Sequence, residues 1–476
     1  MTTDDLRHST PHDAGVDARG ISAFLDALDA DPDIRPHGLI VLRGGAVIAE
    51  GWWSPYDPDG VQLLYSLSKS FTATAAGLAR AEGLLDLDAT VLSYFPELEA
   101  EITDPRTRRM TVRNIASMAS GHAAETVDRA AANDPTNLVR GFLMIPPDAE
   151  PGTLFAYNQP CTYTLAAIVQ RQTGQSLVDY LRPRLFEPLG IGEAFWMEEP
   201  AGRNLGFSGL HATTDAVARL GQLYLQGGRW GEQQLLDADW VAEASRVQVP
   251  NAEEGPDWRQ GYGLQFWMSR HGYRGDGAYG QFCLVLPEHD AVIALTSETV
   301  QMQRVLDLVW RHILPAIEAG SSDPSADAEL AGRLSSLALP VVAGAPAPED
   351  ADRWDGAVFA VDPVEDVAPF VSGSADRAPS QVRVSREADG WRLAVTDEHG
   401  TIETPIGFGD WVADREAPVP VAASAGWMSD GGLEAEILFL DTPHSMRVVC
   451  SDSGTASVRW NTVPLHSTDV HAQHHP

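Results

Sequence analysis

Lysine is all but missing from this chain of 476 residues: there is one, Lys69, beside 32 arginines. Arginine therefore serves wherever a positive charge alone is wanted. The single amine kept at position 69 marks a place where a group able to give up its proton is needed, which a guanidinium cannot do. Cysteine is scarce as well. Cys161, Cys283 and Cys450 are odd in number and far apart, and none forms a CxxC pair, which excludes a disulfide framework. Basic residues are outnumbered 33 to 67, giving a net charge of −34. That balance argues against nucleic acid or an anionic membrane as a partner and reads as a solvated acidic surface. No apolar run approaches the roughly 18 residues of a membrane span. The start, Met1 to Leu6, has neither a basic stretch nor an apolar one, so no export signal is visible and the expected location is the cytoplasm.

What is present reads as ordinary globular protein, 44% apolar and 21% charged, long enough for two or three domains. Leu39–Leu42 and Ala46–Ala49 flank Gly44-Gly45 as a hairpin. A helix is expected from Ser66 to Arg80 with Gly83 as its end signal, then mostly helix from Asp86 to Pro200, including one after Pro160 that stops at Gly174. Another begins near Asp215 behind Thr213-Thr214. Strand character returns at Gly263–Trp267, Phe282–Leu286 and Val292–Leu295, and an amphipathic helix follows over Val300–Ile317. Strands from both ends with helices between them predict one α+β layer domain, residues 1–318. Residues 319–352 are rich in Ser, Ala, Pro and acid and read as a linker carrying a short helix. From 353 to 465 the period is two, with strands at Gln381–Val384, Trp391–Val395, Leu433–Leu440 and Ser445–Val449. Turn signals at Asp389-Gly390 and Asp430-Gly431-Gly432 separate them, as in a small antiparallel β-barrel or sandwich. Residues 466–476 read as a flexible tail, with His471, His474 and His475 offering at most weak metal binding.

The chemistry concentrates at Tyr65-Ser66-Leu67-Ser68-Lys69-Ser70. A spacing of three on a helix puts Ser66 and Lys69 on one face, about one turn apart. Partial burial lowers a lysine pKa toward neutrality, and such an amine can take the proton of a serine nucleophile. A surface lysine beside a capping serine would equally well be arginine.

Ser66-Leu67-Ser68-Lys69 resembles the first motif of the serine β-lactamase-related hydrolases, the family of class C β-lactamases, penicillin-binding proteins and their esterase relatives. Pro151 to Gln159, with Tyr157 near its end, is similar to the second motif. Leu185-Phe186-Glu187-Pro188-Leu189-Gly190 and Gly228-Arg229-Trp230 with Gln234-Leu235-Leu236 are similar to further family stretches. The resemblance covers residues 10 to 317. It implies a β-lactamase/transpeptidase-like fold, an antiparallel sheet flanked by helices with a helical subdomain, and the small β domain would follow it as a lipocalin-like barrel.

By the same resemblance Tyr157 relays a proton between Ser66 and the leaving group, and the backbone N–H groups of Ser66 and Ala278 form the oxyanion hole. The family's motif asparagine falls on Gln159, with Asn158 beside it, and either amide could meet substrate. The third motif, normally Lys or His followed by a small residue and Gly, aligns with Gly275-Asp276-Gly277. A carboxylate here could orient Lys69 or meet a substrate amine, while Arg274 or His271 could restore positive charge. Tyr279 and His122, in Ser120-Gly121-His122, are further substrate-side candidates, His122 being equally well a core histidine. The expected activity is a serine hydrolase acting through an acyl-enzyme on an ester or amide, β-lactams among them, with a small molecule or short peptide as substrate and no cofactor or metal. A penicillin-binding-protein-type thioesterase that cyclises peptides, or a non-catalytic binding protein on the same fold, are the alternatives.

Overall fold

A computed structural model describes residues 6–321, 323–362, 379–388 and 390–475. Outside the described residues lie the ends of the expected first domain and tail, residue 322 of the expected linker, 363–378 of the expected β domain, and Asp389 of the Asp389-Gly390 turn. The chain divides into two compact units. One holds the residues up to Gly51 together with Leu63–Ser335; the other holds Trp52–Gln62 together with Ser336–His475.

The first unit is built on a seven-stranded sheet in the order Arg7–His8, Ala46–Trp52, Arg35–Arg43, Ala291–Glu298, Gln281–Leu286, Tyr273–Gly277, Trp267–Met268. Gly44 and Gly45, at φ 57° and 72°, make the tight turn between the first two long strands, a left-handed pair that glycine adopts without strain. Gln281–Leu286 and Ala291–Glu298 are buried along their whole length, as strands covered on both faces must be. Helix Ala18–Asp29 turns Ile21, Phe24, Leu25 and Leu28 inward, all fully buried. Each such side chain contributes about 1.5–3 kcal/mol. Thr213 caps the helix Thr214–Leu225 through the N–H of Ala216, as its sequence suggested.

Two expected elements differ. The helix read over Val300–Ile317 runs as Met302–Leu308, a wider π turn Val309–Ile313, and Leu314–Ala319. Pro315 has no N–H for the α-helical ladder and its ring crowds the preceding turn, which accounts for the break. The strand expected at Gly263–Trp267 shrinks to Trp267–Met268 because Gln265 is left-handed, φ 63°. Its side chain is tied sideways, accepting from Thr162 Oγ1 at 2.6 Å and donating to Ala116 O at 2.8 Å.

The second unit is a closed sheet. Eight strands run Thr401–Phe408, Gly390–Thr396, Gln381–Glu387, Ala357–Val361, Thr455–Trp460, His444–Cys450, Leu433–Phe439 and Val421–Trp427, and the last pairs back onto the first at Gly407–Ser424 and Phe408–Ala425. Alternate residues such as Val382, Val384, Leu393 and Val395 fill the interior.

The expected boundaries shift. Helix Ser325–Leu334, read as part of a linker, groups with the first unit: Leu330 and Ala326 are buried, and Arg333 pairs with Asp29. Trp52–Gln62, read inside the first domain, groups with the second unit, where Ser54 bonds Leu337 and Leu339 through the backbone. The tail read as flexible is ordered as far as His475. Asp469 accepts from the N–H of His471 at 2.8 Å, and Val470 is fully buried in the barrel core. Among the described residues no helix is long and apolar enough to cross a membrane.

Candidate active site

Ser66 stands in a short 3₁₀ turn, Tyr65–Leu67, that runs straight into the helix Ser68–Ala81. The turn starts from Tyr65 in a left-handed conformation, φ 47°, uncommon for a residue with a side chain. Lys69, one turn into this segment, is 1% exposed. Its Nζ donates to Ser66 Oγ at 2.9 Å and to the carbonyl oxygen of Phe207 at 2.7 Å. It also lies 4.8 Å from the centre of the Tyr157 ring. Burial lowers the Lys69 pKa to about 7, although the negative charges of Glu125 and Asp276 pull it upward. At neutral pH the amine is therefore free to exchange its proton.

Tyr157 precedes the helix Gln159–Thr173 by two residues. Its ring stacks on Trp267, centroids 5.1 Å apart, and meets the edge of Tyr262 at 6.1 Å. Burial, and then the charge of Asp276, raise the phenol pKa, while a hydrogen-bonding interaction with Ser66 opposes them. The phenol is thus neutral and next to the serine. Phe155 closes the same wall against Tyr262 and Trp267.

The two amides after Tyr157 separate. Asn158 is fully buried; its Oδ1 accepts from the N–H of Thr126 at 3.1 Å and from Thr126 Oγ1 at 2.9 Å, while its Nδ2 has no hydrogen-bond partner among the described residues. Gln159 anchors through its backbone N–H to Glu125, at 3.0 Å, and its side-chain oxygen has no hydrogen-bond partner among the described residues.

The strand Tyr273–Gly277 explains its glycines by close approach. A Cβ at Gly277 would lie 2.0 Å from the carbonyl oxygen of Leu64 and 3.1 Å from the nitrogen of Leu67, so only glycine lets the strand lie against the serine turn. At Gly275 the obstacle would be Ser70 Oγ, at 2.6 Å. Asp276, between them, is buried and accepts from Arg274 Nε at 2.8 Å. Arg274 is fully buried, donates to Ser269 Oγ at 2.7 Å and lies 4.5 Å from the centre of the Trp258 ring. The carboxylate and the guanidinium thus neutralise each other inside the wall. Burial raises the Asp276 pKa against the pull of Arg274 and Lys69. His271, the other candidate for a compensating charge, lies against Trp310, ring centroids 5.0 Å apart. Ala278 follows Gly277 directly, and the Tyr279 ring meets Tyr65 edge-on at 5.5 Å.

His122 resolves as a core residue. One ring nitrogen is 2.9 Å from Ser120 Oγ and the other 3.0 Å from the carbonyl oxygen of Ile145, which leaves neither for a substrate. Sequence reasoning missed Glu125 and Phe207. Nothing in their types marked them, since Phe207 reaches Lys69 through its carbonyl oxygen and Glu125 acts on it through its charge, from a segment far away in sequence. Among the described residues no group of three or more His, Cys, Asp or Glu could hold a metal ion.

Three comparisons bear on this arrangement. The 6-aminohexanoate-dimer hydrolase of Paenarthrobacter ureafaciens is 28% identical over 281 residues, covering 54% of this chain and 71% of that protein. The lovastatin esterase of Penicillium rubens is 28% identical over 173 residues, covering 32% of this chain and 43% of that protein. The crystal structure of SurE matches with a TM-score of 0.51 at 18% identity, covering 85% of this chain and 94% of that one, a likeness of fold. Fold and relatives together make this chain a hydrolase. More particularly, residues 21–318 match the Beta-lactamase family model, and the chain belongs to that family.

Proposed function

We propose that Ser66 is the nucleophile of an acyl-transfer reaction on an ester or amide. The observation that carries this is the 2.9 Å contact between Ser66 Oγ and Lys69 Nζ, with the amine buried and held near neutrality. Neutral Lys69 takes the Ser66 proton as Oγ attacks the substrate carbonyl. Backbone N–H groups of Ser66 and Ala278 receive the developing oxyanion, a reading supported by the close approach of Gly277 to Leu64. Tyr157, protonated and beside Ser66, passes its proton to the leaving alcohol or amine as it receives the one that Lys69 took; the leaving group departs, and a Ser66 ester remains with Lys69 and Tyr157 both neutral. Water adds to that ester, gives its proton back through the same groups, and releases the acid with Ser66 restored.

The substrate side is aromatic, with Tyr157, Trp267, Phe155 and Phe207 around the reacting pair. The charge at position 276 is already matched by Arg274. Such a wall suits a neutral acyl group better than one carrying a carboxylate, and the Oε1 of Gln159 and the Nδ2 of Asn158 are the amide atoms beside it without a partner among the described residues. The substrate is then a small molecule or short peptide, and the expected compartment is the cytoplasm.

Intact-mass and peptide mapping after treatment with a fluorescent phosphonate tests the reaction. Ser66 should carry the label, Ser66→Ala should take none, and the labelling rate should rise with pH about a midpoint near 7, where Lys69 loses its proton. A wild-type protein that takes no label at Ser66 would leave a binding protein as the surviving reading. In a substrate panel, p-nitrophenyl esters should turn over faster than a chromogenic cephalosporin. Products heavier by one water would mark hydrolysis, and a peptide that has lost the thiol of its thioester without gaining water would mark cyclisation.

A further inference from the structure

We infer that Glu125 is a positioning residue of this site: its carboxylate pins the turn that carries Tyr157 and presents a negative charge to Lys69. The inference rests on the acyl-transfer reading above and adds a residue to it. Glu125 Oε1 accepts from the N–H groups of Thr126 at 2.7 Å and Val127 at 2.9 Å, and Oε2 accepts from the N–H of Gln159 at 3.0 Å. These donors open two different helices, Val127–Asn133 and Gln159–Thr173, where N–H groups lack partners within the helix. One carboxylate therefore ties both starts together.

The neighbouring bonds work in the same direction. Thr126 binds Asn158 twice, and the N–H of Ala156 donates to the carbonyl oxygen of Met118 at 3.0 Å. The bonded residues 156, 158 and 159 bracket Tyr157. A shift of about 1 Å in a reacting group costs on the order of 10²-fold in rate, so this strap fixes what the chemistry needs fixed.

Charge is the second part. Among the described residues, the negative charges of Glu125, from the segment before Val127–Asn133, and of Asp276, from the strand Tyr273–Gly277, act on Lys69, whose Nζ lies 4.8 Å from the centre of the Tyr157 ring. Asp276 is matched by Arg274, whereas Glu125 has no arginine partner among the described residues: burial raises its pKa, and the backbone N–H groups of Gln159, Thr126 and Val127, with the charge of Lys69, act against that rise and favour the carboxylate. Glu125 thus offsets part of the burial that discharges Lys69, and it holds the amine in the range where it can both take and return a proton.

The lone lysine makes the test direct. In protein grown on lysine labelled with ¹³C at Cε, one side-chain resonance reports the titration of Lys69 in the folded enzyme. Glu125→Gln keeps an acceptor oxygen for the strap and loses the charge. Its Cε midpoint should fall by about half a pH unit or more, and the acid limb of Ser66 phosphonate labelling should fall with it. Glu125→Ala should also lower the limiting labelling rate by on the order of 10²-fold. A Cε midpoint unmoved in Glu125→Gln overturns the inference, and the Gln variant decides if the Ala variant fails to fold. Should wild-type Ser66 take no label, the acyl-transfer reading fails by itself, and the Cε titration still judges Glu125.

Discussion

Lys69 is held in a condition a lysine does not choose. Its pKa in the fold is about 7 against an ordinary 10.5, and burial is the cause. The depression means that the folded state binds the proton less well than the unfolded state. Between about pH 7 and 10.5 the unfolded chain therefore carries more protons, and stability rises with pH through that window. Below pH 7 the penalty is complete, of order 5 kcal/mol; above 10.5 it is gone. Lys69→Met, similar in volume and uncharged, should accordingly be inactive yet more stable than wild type by a few kcal/mol at pH 6. The gain should shrink at pH 9. Urea denaturation midpoints at the two pH values check this, and equal midpoints at pH 6 would refute it.

At this scale the sequence was informative where chemistry demands a residue type. The fold brings Ser66, Lys69 and Tyr157, picked out by type, spacing and motif context, to one place, with Lys69 Nζ 2.9 Å from Ser66 Oγ and 4.8 Å from the centre of the Tyr157 ring. Ambiguity survived where the residue type has two uses. His122 turned out to be packed in the core with both nitrogens engaged, and only the direction of the side chain could separate Asn158 from Gln159.

Among the elements, the strand Tyr273–Gly277 departs most from the family's third motif and yet is built most tightly. Its glycines show as a pattern in the sequence, but their reason, the carbonyl of Leu64 lying where a Cβ would be, is a matter of packing between distant segments. Gly277→Ala should force the Leu64–Leu67 turn to move and displace Ser66. Phosphonate labelling is expected to slow by on the order of 10²-fold with the circular dichroism spectrum unchanged. Labelling at the wild-type rate would show that the turn can yield at no expense. Regular elements with clear end signals were legible, such as the helix ending at Gly174, which is left-handed at φ 68°. The strand at Gly263–Trp267 was not, because the side-chain ties of Gln265 override a β-favouring stretch.

For the whole molecule, composition located the β-rich second unit but not the piece of it that comes early in the chain. Trp52–Gln62 reads locally as a loop after a hairpin, and only its long-range partners reveal its membership. Trp53 is fully buried and Tyr56 nearly so, and Arg415 donates to the carbonyl oxygen of Pro55 at 2.5 Å. A fragment ending at Ser335 would keep these aromatic residues and lose Leu337, Leu339 and Arg415, which bond to the backbone of Ser54 and Pro55 beside them. It should elute as aggregate in size-exclusion chromatography, whereas the same fragment with 52–62 replaced by a short Gly/Ser link should elute as a monomer. Indistinguishable elution would mean that the segment is indifferent to its unit.

The same early segment constrains the order in which the protein can be completed in a cell. A ribosome delivers Trp52–Gln62 long before Ser336, and the strand that closes the barrel onto Thr401–Phe408 arrives later still. Until then the segment that carries Trp53 and Tyr56 waits in the nascent chain without Leu337, Leu339 and Arg415, to which its backbone bonds. Slower translation across that interval lengthens the wait, and with it the time in which the segment is open to capture by a chaperone.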